Sequence, residues 1–355
     1  MASSKLSVQQ LPSVTRDRRN LSLAGALISI SSAILITWLG SPAAAQTEAK
    51  ELRIGIQFGI GYLPLLVAED QQLIQKNLRN SGINDTKVSV VRFGNGPAVN
   101  DAFLSRSIDL GVHGTTAFMI IWDKTRGTLN AKGLCAIADM PSMLLTNRAD
   151  IQSVRDFKPE DRIATPGTIG PQAFLLRMAA EQAFGEGQHA RLDPQIVPLP
   201  HPEGLSALLN GIVAAQFTSP PFNYFALRDA RIHTVLTSDD VLGGPSTFLI
   251  LFGGEKFAQS NPKTLRAVLS AMEQAMAYIK EHRHEVAELY VKAEKSPMTV
   301  EFVQEVLADP ANSFAVEPLQ VMKYAEFMGR TGALRQTPKD WKELFLQLIA
   351  DRAGS

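Results

Sequence analysis

Cysteine is almost missing from this chain: Cys135 is the one example among 355 residues. No internal disulfide can form, so the fold must rest on its apolar core, which a chain of this size can supply. An excess of basic charge is missing too, since 35 Lys and Arg face 35 Asp and Glu. That balance gives no field for nucleic acid or an anionic membrane. Catalytic signatures are absent as well. No Gly-x-Ser-x-Gly elbow occurs, and no Gly-x-x-x-x-Gly-Lys-Ser/Thr phosphate loop. His282 and His284 stand two apart on a helical stretch and so do not share a face. No other histidine pair has metal-ligand spacing. Neither a metal nor a cofactor is expected.

The N-terminus carries the plainest positive signal. Arg16, Arg18 and Arg19 precede an uncharged stretch, Leu21 to Leu39, and Pro42-Ala43-Ala44-Ala45 follows. A basic region, an apolar region and small residues in succession predict a secretory signal over 1–45. The alternative is a retained transmembrane anchor, because the stretch approaches the ~20 residues a span needs. Gly25 and several serines argue against it. Arg18-Arg19-Asn20-Leu21 resembles a twin-arginine signal, although Asp17 and the missing Phe leave the export route open. Setting aside Lys5, Arg16, Arg18, Arg19 and Asp17 from the 35 basic and 35 acidic residues leaves 31 and 34, or net −3.

From residue 46 the chain alternates strand-like and helix-like segments, which predicts an α/β fold. Strands are expected at Leu52–Ile56, Lys87–Phe93, Ile108–Val112, Gly133–Ala138 and Met143–Thr146. The pattern then restarts with strands at 162–165, 195–199, 213–217, 232–236 and 247–252. Helices are expected at 63–80, from Pro97, through Trp122, and at 171–184, 203–209 and 222–228. Asn261 can cap a further helix with Pro262 at its first position. More helices are expected at 300–308, 317–328 and 338–350.

One segment has an echo. Residues 101–116, DAFLSRSIDLGVHGTT, align without gaps on 206–221, SALLNGIVAAQFTSPP. Both read as amphipathic helix, tight turn, strand, then a small polar cluster opening an aromatic helix. Two similar lobes, each presenting a strand end, would build a cleft, since ligands in open α/β sheets lie beyond the carboxyl ends of strands. The lobes are expected as 46–149 with 244–355, and 150–243, the chain crossing near 142–148 and 244–253.

The residues now carry a resemblance. Ile54-Gly55-Ile56, Tyr62-Leu63-Pro64-Leu65, Phe93-Gly94-Asn95-Gly96-Pro97-Ala98 and Ser107-Ile108-Asp109-Leu110-Gly111 come in order. Arg162 to Gly167, His201 to Gly211 and Ser219-Pro220-Pro221-Phe222 continue the pattern. The chain resembles the periplasmic substrate-binding proteins of nitrate/sulfonate/taurine ABC transporters, which have thiamine-pyrimidine-synthase-like relatives. The resemblance implies a two-lobed type II periplasmic binding protein fold, each lobe a mixed sheet flanked by helices, joined by crossing strands. It implies a monomer in the periplasm, closing on a small organic solute and serving a permease and its ATPase. It implies no catalysis. The alternatives are a pyrimidine-precursor binder or synthase, whose cysteine-rich stretch is not found here, and a partner protein for a sensor.

The candidate ligand groups are the loops after strands. In the first lobe they are Tyr62, Gly96, His113, Thr115 and Thr116. In the second they are Thr168, Gly170, Gln172, His201, Ser219 and Phe222. Gly96, Gly114 and Gly170 precede helices, whose free N–H groups favour an anion. None of these loops contains Lys or Arg. Tyr62, Phe118, Trp122, Phe222 and Tyr224 offer aromatic walls, which favours a solute with an organic body, sulfonate- or carboxylate-like, over nitrate.

Overall fold

A computed structural model describes residues 48–355. The signal read at 1–45 therefore lies outside the described residues. Among those described, no helix is long and apolar enough to cross a membrane.

The described chain builds two five-stranded sheets of the same design. The first holds β1 (Glu51–Ile56), β2 (Lys87–Arg92), β3 (Leu110–Gly114) and β4 (Ala131–Asp139). The second holds β5 (Met143–Thr146), β6 (Ile163–Thr165), β7 (Ile196–Pro198), β8 (Ala215–Thr218) and β9 (His233–Thr237). The chain then returns through β10 (Thr247–Gly254) to the first sheet. Strand order is β2-β1-β3-β10-β4 in one and β7-β6-β8-β5-β9 in the other. In each sheet the first three strands run parallel and the fourth is reversed. The reversed strands β5 and β10 are the two that follow a crossing, so each lobe receives one strand from the passage between them. β5 pairs in the second sheet although it precedes residue 150. The two-lobed α/β fold read from the sequence is borne out.

Helices flank both sheets. They are α1 (Leu63–Asp70), α2 (Leu73–Asn80), α3 (Gly96–Leu104), α4 (Thr115–Lys124), α5 (Pro171–Phe184), α6 (His201–Leu209), α7 (Phe222–Ala226) and α8 (Ser238–Leu242). The tail adds α9 (Glu255–Ser260), α10 (Pro262–Glu281), α11 (Arg283–Glu294), α12 (Val300–Ala308) and α13 (Val321–Arg330). Starts follow local chemistry. The Asn95 side chain accepts from Ala98 N at 3.0 Å to cap α3, with Pro97 in its first turn.

Three expectations need correction. The helix over 63–80 is two helices, because Gln72 adopts a left-handed conformation with φ 53°. No Gly or Pro marks that break. Asn261 does not cap α10; Glu48 does, its carboxylate accepting from Lys263 N at 2.9 Å and Thr264 N at 3.0 Å. An anion at a helix N-terminus is also favoured by the helix dipole. Residues 338–350 form two short 3-10 turns, Trp341–Glu343 and Gln347–Ile349, rather than one helix. The stretch between them lies along the outer edge of β4. Gly133 N donates to Leu344 O at 2.9 Å, and Leu346 N donates to Gly133 O at 2.8 Å. Covering a sheet edge satisfies backbone groups that would otherwise be open to pairing.

Candidate functional site

The carboxyl ends of β1, β3, β6 and β7 face one another across a narrow cleft. Gln57, the residue after β1, and Tyr62 line it from the first lobe. Gly96 and Pro97 at the start of α3 join them, with His113 and Gly114 at the end of β3. The second lobe contributes Pro166 and Gly167 after β6, then Ile169 to Gln172 at the start of α5, and His201 at the start of α6. Phe248 and Leu249 of the returning strand β10 close the wall. The cavity volume is about 40 Å³, room for a few water molecules. The lobes are thus nearly shut.

Three contacts close them at the cleft, while pairs such as Arg330 with Glu181 and Tyr224 with Asp309 join the lobes beyond it. Thr116 Oγ1 donates to Ile169 O at 2.8 Å. Gln172 Nε2 donates to Ser142 Oγ at 3.3 Å, on the crossing segment. Gly114 abuts Pro171 so closely that a Cβ there would lie 2.3 Å from Pro171 Cδ.

Two imidazoles dominate the polar chemistry. His113 is buried, and its Nε2 has no hydrogen-bond partner. Its ring lies parallel to Phe252, with centroids 5.7 Å apart. Its other edge meets the Gly96 backbone, where a Cβ would come within 2.8 Å of His113 Cε1. Only glycine lets α3 start this close. His201 Nδ1 pairs with Thr218 Oγ1 at 2.6 Å, and its ring stacks on Phe222 at 5.3 Å. Burial holds both imidazoles down at about 4, a hydrogen bond to the Gly96 backbone opposing the shift at His113. Burial, with the Glu294 charge, pushes the Tyr62 phenol well up, so it stays protonated.

Of the candidates named from sequence, Tyr62, Gly96, His113, Gly170, Gln172 and His201 come together on the cleft. Thr115, Thr116, Thr168, Ser219 and Phe222 are not among its lining residues. The Thr115 hydroxyl is spent on Thr247 O at 2.6 Å, and that of Thr116 on Ile169 O. Thr168 is exposed. Ser219 and Phe222 stand behind His201. Among the aromatic walls, Phe118 packs against Phe252 and Phe345, Trp122 Nε1 donates to Glu343 O, and the Tyr224 hydroxyl donates to Asp309 Oδ2. Gln57 and Phe248 also line the cleft, outside the set expected from the sequence. Gln57 directly precedes the loop that holds Tyr62, so proximity could have found it. Phe248 reads as strand core, and nothing local shows that β10 carries it to the cleft.

The sequence model of the NMT1-like family matches residues 45–292. The chain belongs to that family. Solved structures share its fold at low identity. The periplasmic aliphatic sulphonate binding protein SsuA from Escherichia coli is 20% identical with a TM-score of 0.64, over 84% of this chain and 93% of that one. The alkanesulfonate-binding protein SsuA from Xanthomonas axonopodis pv. citri, bound to MOPS, is 20% identical with a TM-score of 0.64, over 86% and 98%. The periplasmic nitrate-binding protein NrtA from Synechocystis PCC 6803 is 14% identical with a TM-score of 0.66, over 86% of each chain. A comparison with curated protein sequences gives no match. Family membership and these neighbours bear out the resemblance read from the sequence.

Proposed function

We propose that this NMT1-like protein is the solute-binding component of an ABC importer. It captures a small organic anion, sulfonate- or carboxylate-like, between its lobes and delivers it to a membrane permease with its ATPase. The observation that carries this reading is the cleft itself, where the starts of α3 and α5 converge on two imidazoles and two amide side chains. The start of α5 has no side-chain cap, so its N–H groups favour an anion, whereas at α3 the Ala98 N–H is taken by Asn95. Pro97, Pro171 and Phe248 supply apolar walls for an organic body. The neighbours named for sulfonate binding support the solute class, and their being binding proteins supports capture rather than catalysis.

The lobes move about the crossings near β5 and β10, and closure brings the α5 start onto the solute. Gly170 has ordinary extended angles, φ −75° and ψ 168°. A Cβ there would meet only Gln172 Oε1, at 3.4 Å. Gly170→Val therefore leaves the fold intact and crowds the anion away from the helix start. Native mass spectrometry of protein purified from its own periplasm identifies the solute. Calorimetry should then show Gly170→Val binding it roughly ten- to a hundredfold more weakly, the loss of one charge-assisted hydrogen bond. Unchanged affinity at an unchanged melting temperature would place the site elsewhere.

Export precedes capture. N-terminal sequencing of protein recovered from the periplasm should begin near Gln46. Residues 1–45 still attached in a membrane fraction would contradict a cleaved signal.

A further inference from the structure

The cleft poses a charge problem. Among the described residues, no Lys, Arg, Asp or Glu lines it. An anion shut between the lobes sheds water and meets no fixed cation, a costly arrangement in a low-dielectric site. The titratable groups that face it are His113, His201 and Tyr62.

The two histidines occupy related places. The offset of 105 residues that aligns 101–116 on 206–221 also sets Gly96 on His201 and His113 on Thr218. One lobe raises its imidazole from the strand, over a glycine at the helix start. The other raises it from the helix start, bonded to a threonine on the strand. The cleft thus receives one imidazole from each lobe. They differ in freedom: His201 Nδ1 is held by Thr218, with Ser219 Oγ 3.4 Å from Nε2, whereas His113 Nε2 is buried with no partner at all.

We propose that anion capture in this cleft is proton-linked: closure on a carboxylate or sulfonate takes up one proton at His113 Nε2, and the imidazolium supplies the missing counter-charge. The inference rests on the reading of the cleft as an organic-anion site. No bond other than N–H forms, and the proton comes from solvent as the lobes close. In the solute-free cleft both imidazoles are neutral near pH 7, because burial opposes their charging. Facing groups do not change this. No charged side chain of β1, β10, α3 or α4 acts on His113, where burial and the Gly96 backbone are the influences, and burial alone acts on His201. Of the three cleft groups, Glu294, paired with Arg92, acts on the Tyr62 phenol, which stays protonated.

Isothermal calorimetry tests this with acetate and ethanesulfonate as probes, in buffers of different ionisation enthalpy. The wild-type chain should take up about one proton per probe bound at pH 7. Affinity should rise about tenfold for each unit the pH falls between 8 and 6, the slope of one linked proton. His113→Gln should bind more weakly and take up none. Binding without proton uptake, at an affinity flat with pH, overturns the inference and leaves solute capture standing. Uptake that survives His113→Gln and vanishes in His201→Gln overturns the assignment to His113. No binding of either probe from pH 5 to 8 overturns the inference together with the anion reading. The buffer series on the wild type needs no variant, so a misfolded His113→Gln does not rescue the proposal.

Discussion

Gly114→Ala should bind solute at least about a hundredfold more weakly than the wild type while folding normally. The backbone permits the change, since Gly114 has φ −58° and ψ 145°, angles any residue adopts. The first lobe also has room, its nearest atom beyond Pro171 being Phe248 O at 3.8 Å. The obstacle lies wholly in the other lobe. The new Cβ would sit 2.3 Å from Pro171 Cδ and 2.6 Å from Pro171 Cγ. A proline ring at a helix start has no rotamer to escape into, so the lobes must part by about an ångström to restore van der Waals contact. Parting lengthens Thr116 to Ile169 O, and it withdraws the α5 start and His201 from the solute. Losing two charge-assisted hydrogen bonds costs about 3 kcal/mol or more, which is over a hundredfold in affinity. Small-angle scattering should show the wild type compacting with solute and Gly114→Ala failing to compact. The double change Gly114→Ala with Pro171→Ala removes the clashing atoms and should restore most of the affinity. No recovery in the double variant would mean that glycine serves some need other than interlobe approach.

How far the sequence reaches is clearest at the repeat. The ungapped alignment sets Leu110 on Ala215. In the structure Leu110 pairs with Ile54 of β1 and Ala215 with Ile163 of β6, each the first paired residue of a strand that runs parallel to that neighbour. The periodicity of helix, turn and strand was therefore enough to find the duplicated unit. The loop residues Gly96, His113 and His201 were legible for the same reason, since each sits at a strand or helix end set by local pattern. Thr115 and Thr116 were not. Their hydroxyls look free beside a helix start, yet they are taken by Thr247 O and Ile169 O, carbonyls 132 and 53 residues away. Backbone carbonyls leave no mark on sequence. Residues 338–350 failed similarly: their apolar spacing suits a helix, and the open edge of β4 draws them out along it instead.

In urea, solute-free His113→Gln should gain stability relative to the wild type as pH falls. His113 has an ordinary value of 6.5 when unfolded and about 4 when buried in the fold. Between those values the unfolded chain binds a proton that the folded chain does not. Acid therefore favours unfolding, and stability is lost as pH falls from 6.5 toward 4. Each unit is worth about 1.4 kcal/mol, so by pH 4.5 the wild type should have lost about 2–3 kcal/mol through this residue. Glutamine cannot titrate, and any packing cost of the substitution is the same at every pH. Other groups also change the curve, His201 and Asp139 among them. His201 is held down by burial too and acts in the same direction. Asp139, pushed up to about 6 by burial against its bond from Thr247, acts in the opposite one, because its folded carboxyl takes a proton first. All are present in both chains and cancel in the difference. The measurement is the gap between the two unfolding free energies at pH 7, 6, 5 and 4.5. It should shift by about 2–3 kcal/mol in favour of His113→Gln, most of it below pH 6.5. Parallel curves would mean that His113 carries no penalty for charging. The solute-free cleft would then hold His113 at its ordinary 6.5, and an anion would draw in only about three-quarters of a proton at pH 7 instead of one.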